Sequence, residues 1–292
     1  CRWRSNSCKQ VTCLSTFCSC CFVSSFYSYE YFILYKMKQL FHESTDQITK
    51  LLCSYNGTLS YDDQNVLLEL FNNYDYDLHA HQPFLWSSKA NDHYKMRKDN
   101  PSQLLRQPNM EEVLGLFEWS NLKNTIINYP LDLKLTPICL DDKLAKECPN
   151  LYDPRFALPV IYHSLAPEQI IKFNKFVSCG ALSLPIAALT SECSDIRSLS
   201  YAILSRFHQH LEINSYLKDR FVWLGLIDLI RNGLPQNDFR FPSIQAMFLI
   251  KIIDILLHPN EKLYEVVKND LLANSSLHFH NLPSLYVLID SS

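Results

Sequence analysis

The stretch SDIRSLSYAILSRFHQHL, residues 194–211, decides the fold. Its apolar side chains recur every three or four positions, which places them on one face of an α-helix. That face comprises Ile196, Leu199, Ile203, Leu204, Phe207 and Leu211. Because serine at a helix start can accept a hydrogen bond from free backbone N–H groups, Ser194 is expected to cap this helix. The segment predicts an amphipathic helix of about five turns whose apolar face needs a partner surface.

Similar helical patterns surround this segment, and short corners with proline or glycine separate them. The further helices expected after residue 153 cover 156–165, 167–177, 181–189, 216–230, 242–257 and 261–272. Proline is tolerated in the first turn of a helix, so Pro167 and Pro242 mark two of the starts. Gly180 stands where a helix usually ends in a left-handed residue. The helix from Pro242 is apolar nearly all round, which predicts a central position.

The chain before residue 153 has fewer helical patterns and longer polar connections. Expected helices cover 57–75, 110–117 and 122–127, and expected loops cover 76–108 and 128–153. In the first helix Ser60 is the expected cap, and Asp62 and Asp63 lie in the first turn, where the helix dipole favours negative charge. Arg155 follows Asp153 at a corner, where we expect it to pair with a carboxylate or a carbonyl group.

Glycine is scarce, and this scarcity limits the fold class. Only 5 glycines and as many as 14 prolines occur in 292 residues. Phosphate loops, dinucleotide folds and β-hairpins use glycine at positive φ or where the backbone approaches closely. We therefore predict an all-α protein, an irregular HEAT- or armadillo-like array of stacked helices (an α-solenoid). No strict sequence repeat is present, so the array is expected to be degenerate.

Catalytic and metal-binding motifs are not found. G-x-S-x-G, H-E-x-x-H and phosphate-loop patterns do not occur, and the cysteines at 18–21 have no second pair, so we expect no enzyme, no cofactor and no small-molecule substrate. His208 and His210 are two apart on a predicted helix and point in different directions, which disfavours a shared metal. The pairs at 79/81 and 278/280 are the other candidates. In an extended loop His278 and His280 could share a metal, but no further Cys, Asp or Glu lies nearby in the right pattern. Surface or half-buried histidines are the expected outcome.

Cysteine is concentrated at the start of the chain. Of 11 cysteines, six lie within the first 21 residues and the others are scattered singly. Scattered cysteines behave as small buried side chains, which favours a reducing compartment. For residues 1–25 we expect a disordered or spuriously translated leader. A zinc cluster would need a second cysteine pair, and a signal peptide would need an initiator and a cleavage site. Residues 26–41 predict a helix too short and too charged to span a membrane.

The most specific pattern in the chain is LYDPRFALPVIYHSLAPEQIIKFNKFVSCGALSLPIAALTS, residues 151–191. It is followed in order by LSRF (204–207), HLE (210–212), LID (226–228), RNG (231–233) and HPNE (258–261). Upstream, PFLW (83–86) and QPNM (107–110) keep the same order. Over residues 50–292 this order resembles the C-terminal domain of the nucleolar pre-ribosomal-associated protein family, the Urb or Npa ribosome-biogenesis proteins of yeast. LPS at 282–284 departs from the valine, proline and glycine that the family favours.

The resemblance implies a very large nucleolar protein built from helical repeats, of which this chain is a piece truncated at its C-terminus. It implies a scaffold in early large-subunit (pre-60S) assembly and pre-rRNA processing. The expected partners are other ribosome-assembly proteins, with pre-ribosomal RNA as a further candidate and no membrane. We expect a leader over 1–50, helices with long polar loops over 51–153 and a compact helical part over 154–292. The alternative is a general helical-repeat adaptor that binds only protein.

Basic residues along two successive predicted helices and the next corner are the candidate contacts to RNA or to a partner. They are Arg197, Arg206, Lys218, Arg220, Arg231 and Arg240. If one edge of the stack collects them, they could follow a phosphate backbone. The alternative is a solvated face on which acidic residues are interspersed. The net charge of −3 gives no general basic character, so any contact with RNA would have to come from such a local patch.

Overall fold

A computed structural model describes residues 45–73, 85–99, 109–135, 139–167, 169–217, 219–232 and 239–273. Within these ranges the secondary structure consists of thirteen α-helices and an isolated antiparallel β-bridge between Thr58 and Tyr152. The expected all-α class is therefore confirmed for the part of the chain described. The predictions for the leader 1–25 and for a helix over 26–41 lie outside the described residues.

The helices are short and follow one another closely. The first six are α1 (Thr45–Ser54), α2 (Tyr61–Asn73), α3 (Ser87–Asp99), α4 (Met110–Leu114), α5 (Trp119–Ile127) and α6 (Asp142–Glu147). The other seven are α7 (Pro154–Ser164), α8 (Phe173–Ser178), α9 (Ser183–Ala188), α10 (Ser194–Ile213), α11 (Arg220–Asn232), α12 (Ser243–Leu256) and α13 (Tyr264–Ala273).

Two helices organise the packing. The long helix α10 contacts α7, α9 and α11. The short helix α9 contacts α5, α7, α10 and α12, and all six of its residues are buried. Helix α13 then packs against both α11 and α12. The result is a stack of helices around α9 and α10, whereas a regular HEAT- or armadillo-like repeat stays a prediction.

The predicted apolar face of α10 is confirmed. All six of its apolar side chains are buried in the main core. The predicted cap is wrong, because the N-cap is Cys193 and Ser194 is already the first helical residue. The hydroxyl that helps at this corner belongs to Ser191, which accepts a hydrogen bond from the Cys193 N–H at 3.2 Å.

Helix α12 is not central, contrary to the prediction from its composition. It packs against α9 on one side and α13 on another, and its third face is open. On that face Ile244 is 76% exposed and Met247 is 41% exposed. The composition could not separate a buried face from an exposed apolar one, because both carry the same residue types.

Two predicted loops contain helices. Helix α3 lies within 76–108, where the sequence has almost no apolar stripe. The buried side chains of Trp86 and Ala90 hold this helix in place, and it packs against α1. Helix α6 lies within 128–153, and Asp141 caps it by accepting hydrogen bonds from the N–H groups of Lys143 and Leu144. Both helices are mostly polar, so hydrophobic periodicity missed them.

Three helix starts also differ from prediction. Helix α8 begins at Phe173 and not at Pro167, because the chain first makes a turn in which Gln169 N–H donates to the Ala166 carbonyl. Helix α11 begins at Arg220, since Asp219 has a left-handed φ of 60° that no α-helix continues through. Helix α13 begins at Tyr264 and not near residue 261.

The segments before and after residue 153 share a core. The rings of Tyr55, Trp86, Phe117, Tyr152 and Phe156 form a chain of edge-to-face contacts with centroids 4.8 to 5.1 Å apart. This chain belongs to an apolar core that extends from α1 to α13. The buried carboxylate of Asp63 further holds the loop before α2 by accepting hydrogen bonds from the N–H groups of Asn56 and Thr58.

Candidate interaction surface

The corner after α9 is held by two of the candidate basic residues. The buried Arg197 donates from Nη1 to the carbonyl groups of Ser191 and Glu192 at 2.8 and 2.9 Å. Arg240 donates from Nε to the Thr190 carbonyl at 2.8 Å and forms an ion pair with Glu192 at 3.2 Å. These three carbonyl groups lie just beyond the end of α9, so the guanidinium groups supply the hydrogen bonds that fix the corner.

Carbonyl groups at the ends of α7 and α10 also receive hydrogen bonds from basic side chains. Arg206, on α10, donates to the Tyr162 carbonyl at 3.1 Å and lies over the Tyr162 ring at 3.5 Å from its centroid. His210 Nε2 lies 3.1 Å from the Leu165 carbonyl. Arg220, at the start of α11, donates to the carbonyl groups of Leu211 and Glu212 at 2.6 and 3.0 Å.

The two remaining candidate residues differ. Arg231 forms an ion pair with Asp228 at 2.9 Å on the half-exposed face of α11, and Lys218 lies outside the described residues. All five guanidinium groups that the structure describes thus have protein partners. For four of the five, the partners include a backbone carbonyl group. Their role in binding RNA stays a prediction. The sequence could not reveal the carbonyl contacts, because the acceptors lie five to fifty residues away.

The prediction for Arg155 is confirmed. Its Nε and Nη2 donate to the carboxylate of Asp153 at 2.6 to 3.0 Å, and its Nη1 donates to the Cys139 carbonyl at 3.0 Å. Both side chains of the ion pair are buried. Burial alone would lower the pKa of Arg155, but the charge and hydrogen bonds of Asp153 outweigh it and raise that pKa. Asp153 also caps α7 through the Arg155 N–H.

A groove of about 1060 Å³ lies between α5 and α12. Helix α9 packs against both helices, and residues of α8, the start of α11 and Tyr264 complete the lining of the groove. Its apolar lining includes Trp119, Ile126, Ile127, Val177, Trp223, Met247, Ile250 and Leu257. We call this depression the α5–α12 groove.

The α5 side of the groove presents apolar side chains to solvent. Trp119 is 49% exposed and Ile127 is 52% exposed. Trp119 is held from behind by Gly180, whose φ is +84° and where an added Cβ would lie 2.7 Å from the indole ring. The predicted left-handed glycine after α8 is therefore confirmed, and it also allows α5 to lie directly on this corner.

The charged residues of the groove are unevenly distributed. On the α12 side Lys251 pairs with Asp254 at 3.0 Å, and Asp219 is hydrogen-bonded to Tyr264. Burial is the largest cause that raises the pKa of Tyr264, and the negative charge of Asp219 is the second. On the α5–α8 side stand Lys123 and Lys175, neither of which has an acidic oxygen within 4 Å among the residues described. A hydrogen bond from Lys172 lowers the pKa of Glu111, and the charge of Lys175 adds to this.

The sequence did not predict this groove. Its lining comes from six helices and their corners, and no helix contributes more than six side chains. One signal was available in the sequence. Helix α12 carries apolar residues, including Ile244 and Met247, in addition to those that form its buried face. A helix that is apolar all round either lies in the protein interior or has an exposed apolar face that a partner can bind.

Metal-binding clusters and membrane-spanning helices are absent from the described part of the chain. No three His, Cys, Asp or Glu side chains there are grouped so that they could hold a metal ion. His208 lies 3.6 Å from Glu212 and 3.7 Å from Asp228. The histidine pairs at 79/81 and 278/280 lie outside the described residues. None of the described helices has the length and apolar character needed to cross a membrane.

Comparison with known proteins places the chain in a family. Residues 182–292 match the family model described as nucleolar pre-ribosomal-associated protein 1. The mouse protein of that name is 31% identical over 252 residues, and the human protein is 30% identical over 250 residues. Each match covers 83% of this chain and 11% of the relative, so the chain spans about a tenth of the length of these relatives. No solved structure gives a significant match. The resemblance seen in the sequence is confirmed, and the chain belongs to the nucleolar pre-ribosomal-associated protein family.

Proposed function

We propose that this chain is a helical scaffold segment of a nucleolar ribosome-biogenesis factor, and that it binds other ribosome-assembly proteins. The observation that carries the proposal is its identity of 30–31% to two relatives named nucleolar pre-ribosomal-associated protein 1, over 83% of the chain. Their name refers to the nucleolus and to association with pre-ribosomes. We extend both to this chain, and more finely to early large-subunit assembly and pre-rRNA processing.

The geometry supports protein binding over catalysis. The α5–α12 groove offers exposed apolar side chains next to lysines, a combination typical of interfaces between proteins. The buried ionisable groups Asp63, Asp153, Arg155 and Arg197 are engaged in holding corners and helix ends. A scaffold needs such fixed corners, because the relative placement of its helices defines the surface that a partner recognises.

Direct contact with pre-ribosomal RNA is the finer part of the proposal. Of the candidate residues, Arg231 and Arg240 have side chains that are 38% and 45% exposed, and each forms an ion pair with a carboxylate. Such surface ion pairs are weak, so a phosphate group can replace the carboxylate at small cost. Arg197, Arg206 and Arg220 would have to give up backbone carbonyl groups to do the same.

The test is co-sedimentation with ribosome precursors. The full-length parent protein, tagged in its own cells, should sediment with large-subunit precursors and concentrate in the nucleolus. UV cross-linking should recover pre-ribosomal RNA, and Arg231→Ala with Arg240→Ala should reduce that yield if these residues contact RNA. A protein that sediments free of precursors and enriches only non-nucleolar proteins would instead support the alternative, a general helical adaptor.

A further inference from the structure

We infer that the α5–α12 groove binds an acidic amphipathic segment of a partner protein, with its apolar face on α12 and its carboxylates toward α5 and α8. The inference rests on the proposed scaffold function and specifies the partner chemistry for this surface. Three features of the groove support it: its size, its exposed apolar side chains and its unequal charge.

The size of the groove suits a peptide segment. A volume of about 1060 Å³ lies at the upper end of what small-molecule pockets enclose. Trp119 and Met247 stand on opposite sides of this space and are both about half exposed. Large apolar side chains that stay exposed beside a groove are the usual anchors for a helical segment that inserts its own apolar face.

The charge of the groove selects an acidic partner. Lys251, on α12, is already paired with Asp254, whereas Asp219 keeps its negative charge beside Tyr264. On the opposite side Lys123 projects from α5 and Lys175 from α8, and the described residues give neither an ion pair. Two lining lysines without a carboxylate partner among the described residues therefore stand together at α5 and α8, against the single carboxylate of Asp219 elsewhere in the lining. Complementary carboxylates on a partner would fix its orientation.

Single-stranded RNA is disfavoured as the occupant. It too would use a tryptophan and lysines, but it needs a basic track along the whole groove. Here Asp219 and Asp254 line the α12 side and would repel a phosphate backbone that crossed the groove. An amphipathic peptide avoids this conflict, because its apolar face lies against Met247 and Ile250 while its carboxylates remain near the lysines.

A fluorescence anisotropy experiment on the purified 292-residue chain tests the inference. The probe is a 14-residue helical peptide with leucine and tryptophan on one face and glutamate on the other. Its counterparts carry lysine in place of glutamate, or serine in place of the apolar residues, and a uridine 12-mer represents RNA. The acidic amphipathic peptide should bind at least about tenfold more tightly than each counterpart. Its affinity should fall as salt rises from 50 to about 300 mM.

Variants locate the binding. Lys123→Glu with Lys175→Glu should weaken it about tenfold, because two ion pairs with the peptide are replaced by repulsion between like charges. Lys143→Glu with Lys146→Glu makes the same charge change on the exposed α6 and should leave affinity within about twofold. Trp119→Ala should weaken binding, whereas Tyr61→Ala, a similarly exposed aromatic on α2, should not. Thermal melts of all variants show that each is folded.

Several outcomes would overturn the inference. Equal binding of the lysine peptide, tighter binding of the uridine 12-mer, or indifference to the Lys123 and Lys175 changes would each do so. Binding only after deletion of residues 274–292 would identify the chain's own C-terminal segment as the occupant and would also overturn it. The two proposals fail separately. Peptide binding that does not depend on Lys123 and Lys175 overturns the inference about the groove alone, whereas a parent protein that sediments free of precursors overturns the proposed scaffold function.

Discussion

The guanidinium group of Arg206 lies 3.5 Å above the ring of Tyr162 and donates a hydrogen bond to the carbonyl group of the same residue at 3.1 Å. One side chain from α10 thus holds both the backbone end and the aromatic side chain of a residue on α7. The same principle recurs where Arg220, from α11, holds the end of α10. Arginine thus joins helices that contact each other in this stack through their carboxyl ends.

Replacement of Arg206 by alanine should destabilise the protein by about 2 kcal/mol, because the change removes a charged hydrogen bond and a cation–π contact. Arg206→Lys should cost less, since the ammonium group keeps the charge but not the flat face over Tyr162. Urea unfolding monitored by circular dichroism measures both variants. Equal stability of wild type and Arg206→Ala would show that this contact contributes nothing.

Replacement of Arg155 by methionine should be more costly, about 3–5 kcal/mol, because Asp153 would remain buried without a counter-charge. Arg231→Met is the matched control, since it breaks a partly exposed ion pair and should cost less than about 1 kcal/mol. The two midpoints of urea unfolding should therefore differ clearly. Similar midpoints would contradict the buried ion pair at Asp153.

Gly180→Ala should destabilise the protein by about 1–3 kcal/mol. The residue has a φ of +84°, which an L-residue with a side chain adopts only with strain, and its new Cβ would overlap Trp119. Ser178→Ala, two residues earlier on the exposed end of α8, should be nearly neutral. Chemical unfolding of the two variants side by side would refute the prediction if Gly180→Ala unfolds at the wild-type midpoint.

Leu204→Asp should unfold the helices from α7 to α13 at room temperature. Leu204 is buried on the core face of α10, and a carboxylate there would have no partner, at a cost of about 4 kcal/mol or more. Gln209→Asp introduces the same side chain at an exposed position of the same helix and should melt like wild type. A cooperative melt of Leu204→Asp at the wild-type temperature would mean that this face of α10 is misplaced.

Cys179 should resist alkylation in the folded protein. Burial raises the pKa of its thiol from 9.0 to about 11, and only the thiolate reacts readily. Iodoacetamide at pH 8 should label the exposed Cys139 first and Cys179 only after unfolding, as peptide mass spectrometry can determine. Equal labelling rates at both positions in the native state would contradict the burial of Cys179.

The same pKa shift predicts a pH effect on stability. Below pH 9 the thiol is protonated in both the folded and unfolded chains, so the contribution of Cys179 is fully present. As pH rises from 9 to about 11, the unfolded chain releases the proton more readily, and this contribution is lost. Cys179→Ala should therefore lose less stability than wild type over that interval in urea titrations at each pH.

Several elements followed from the sequence because their signals are local. The apolar face of α10, the left-handed Gly180 and the pairing of Arg155 each depend on residues within about one or two helical turns. The polar helices α3 and α6 were missed, since they lack the apolar spacing that reports a helix. The order of motifs from residue 50 onward indicated the family, and the comparisons confirmed it.

The sequence by itself determined that this chain forms helices, where most of them lie, and to which family it belongs. Only the tertiary structure decided which carbonyl groups Arg206 and Arg240 reach, and that α12 keeps an apolar face beside an open groove. The physical reason is that side-chain periodicity specifies a helix and its apolar face, whereas the partner of that face depends on the packing of residues far apart in the chain. Lys123 and Lys175 lie more than fifty residues apart in sequence, yet the packing of α5 and α8 places them on one side of the same groove.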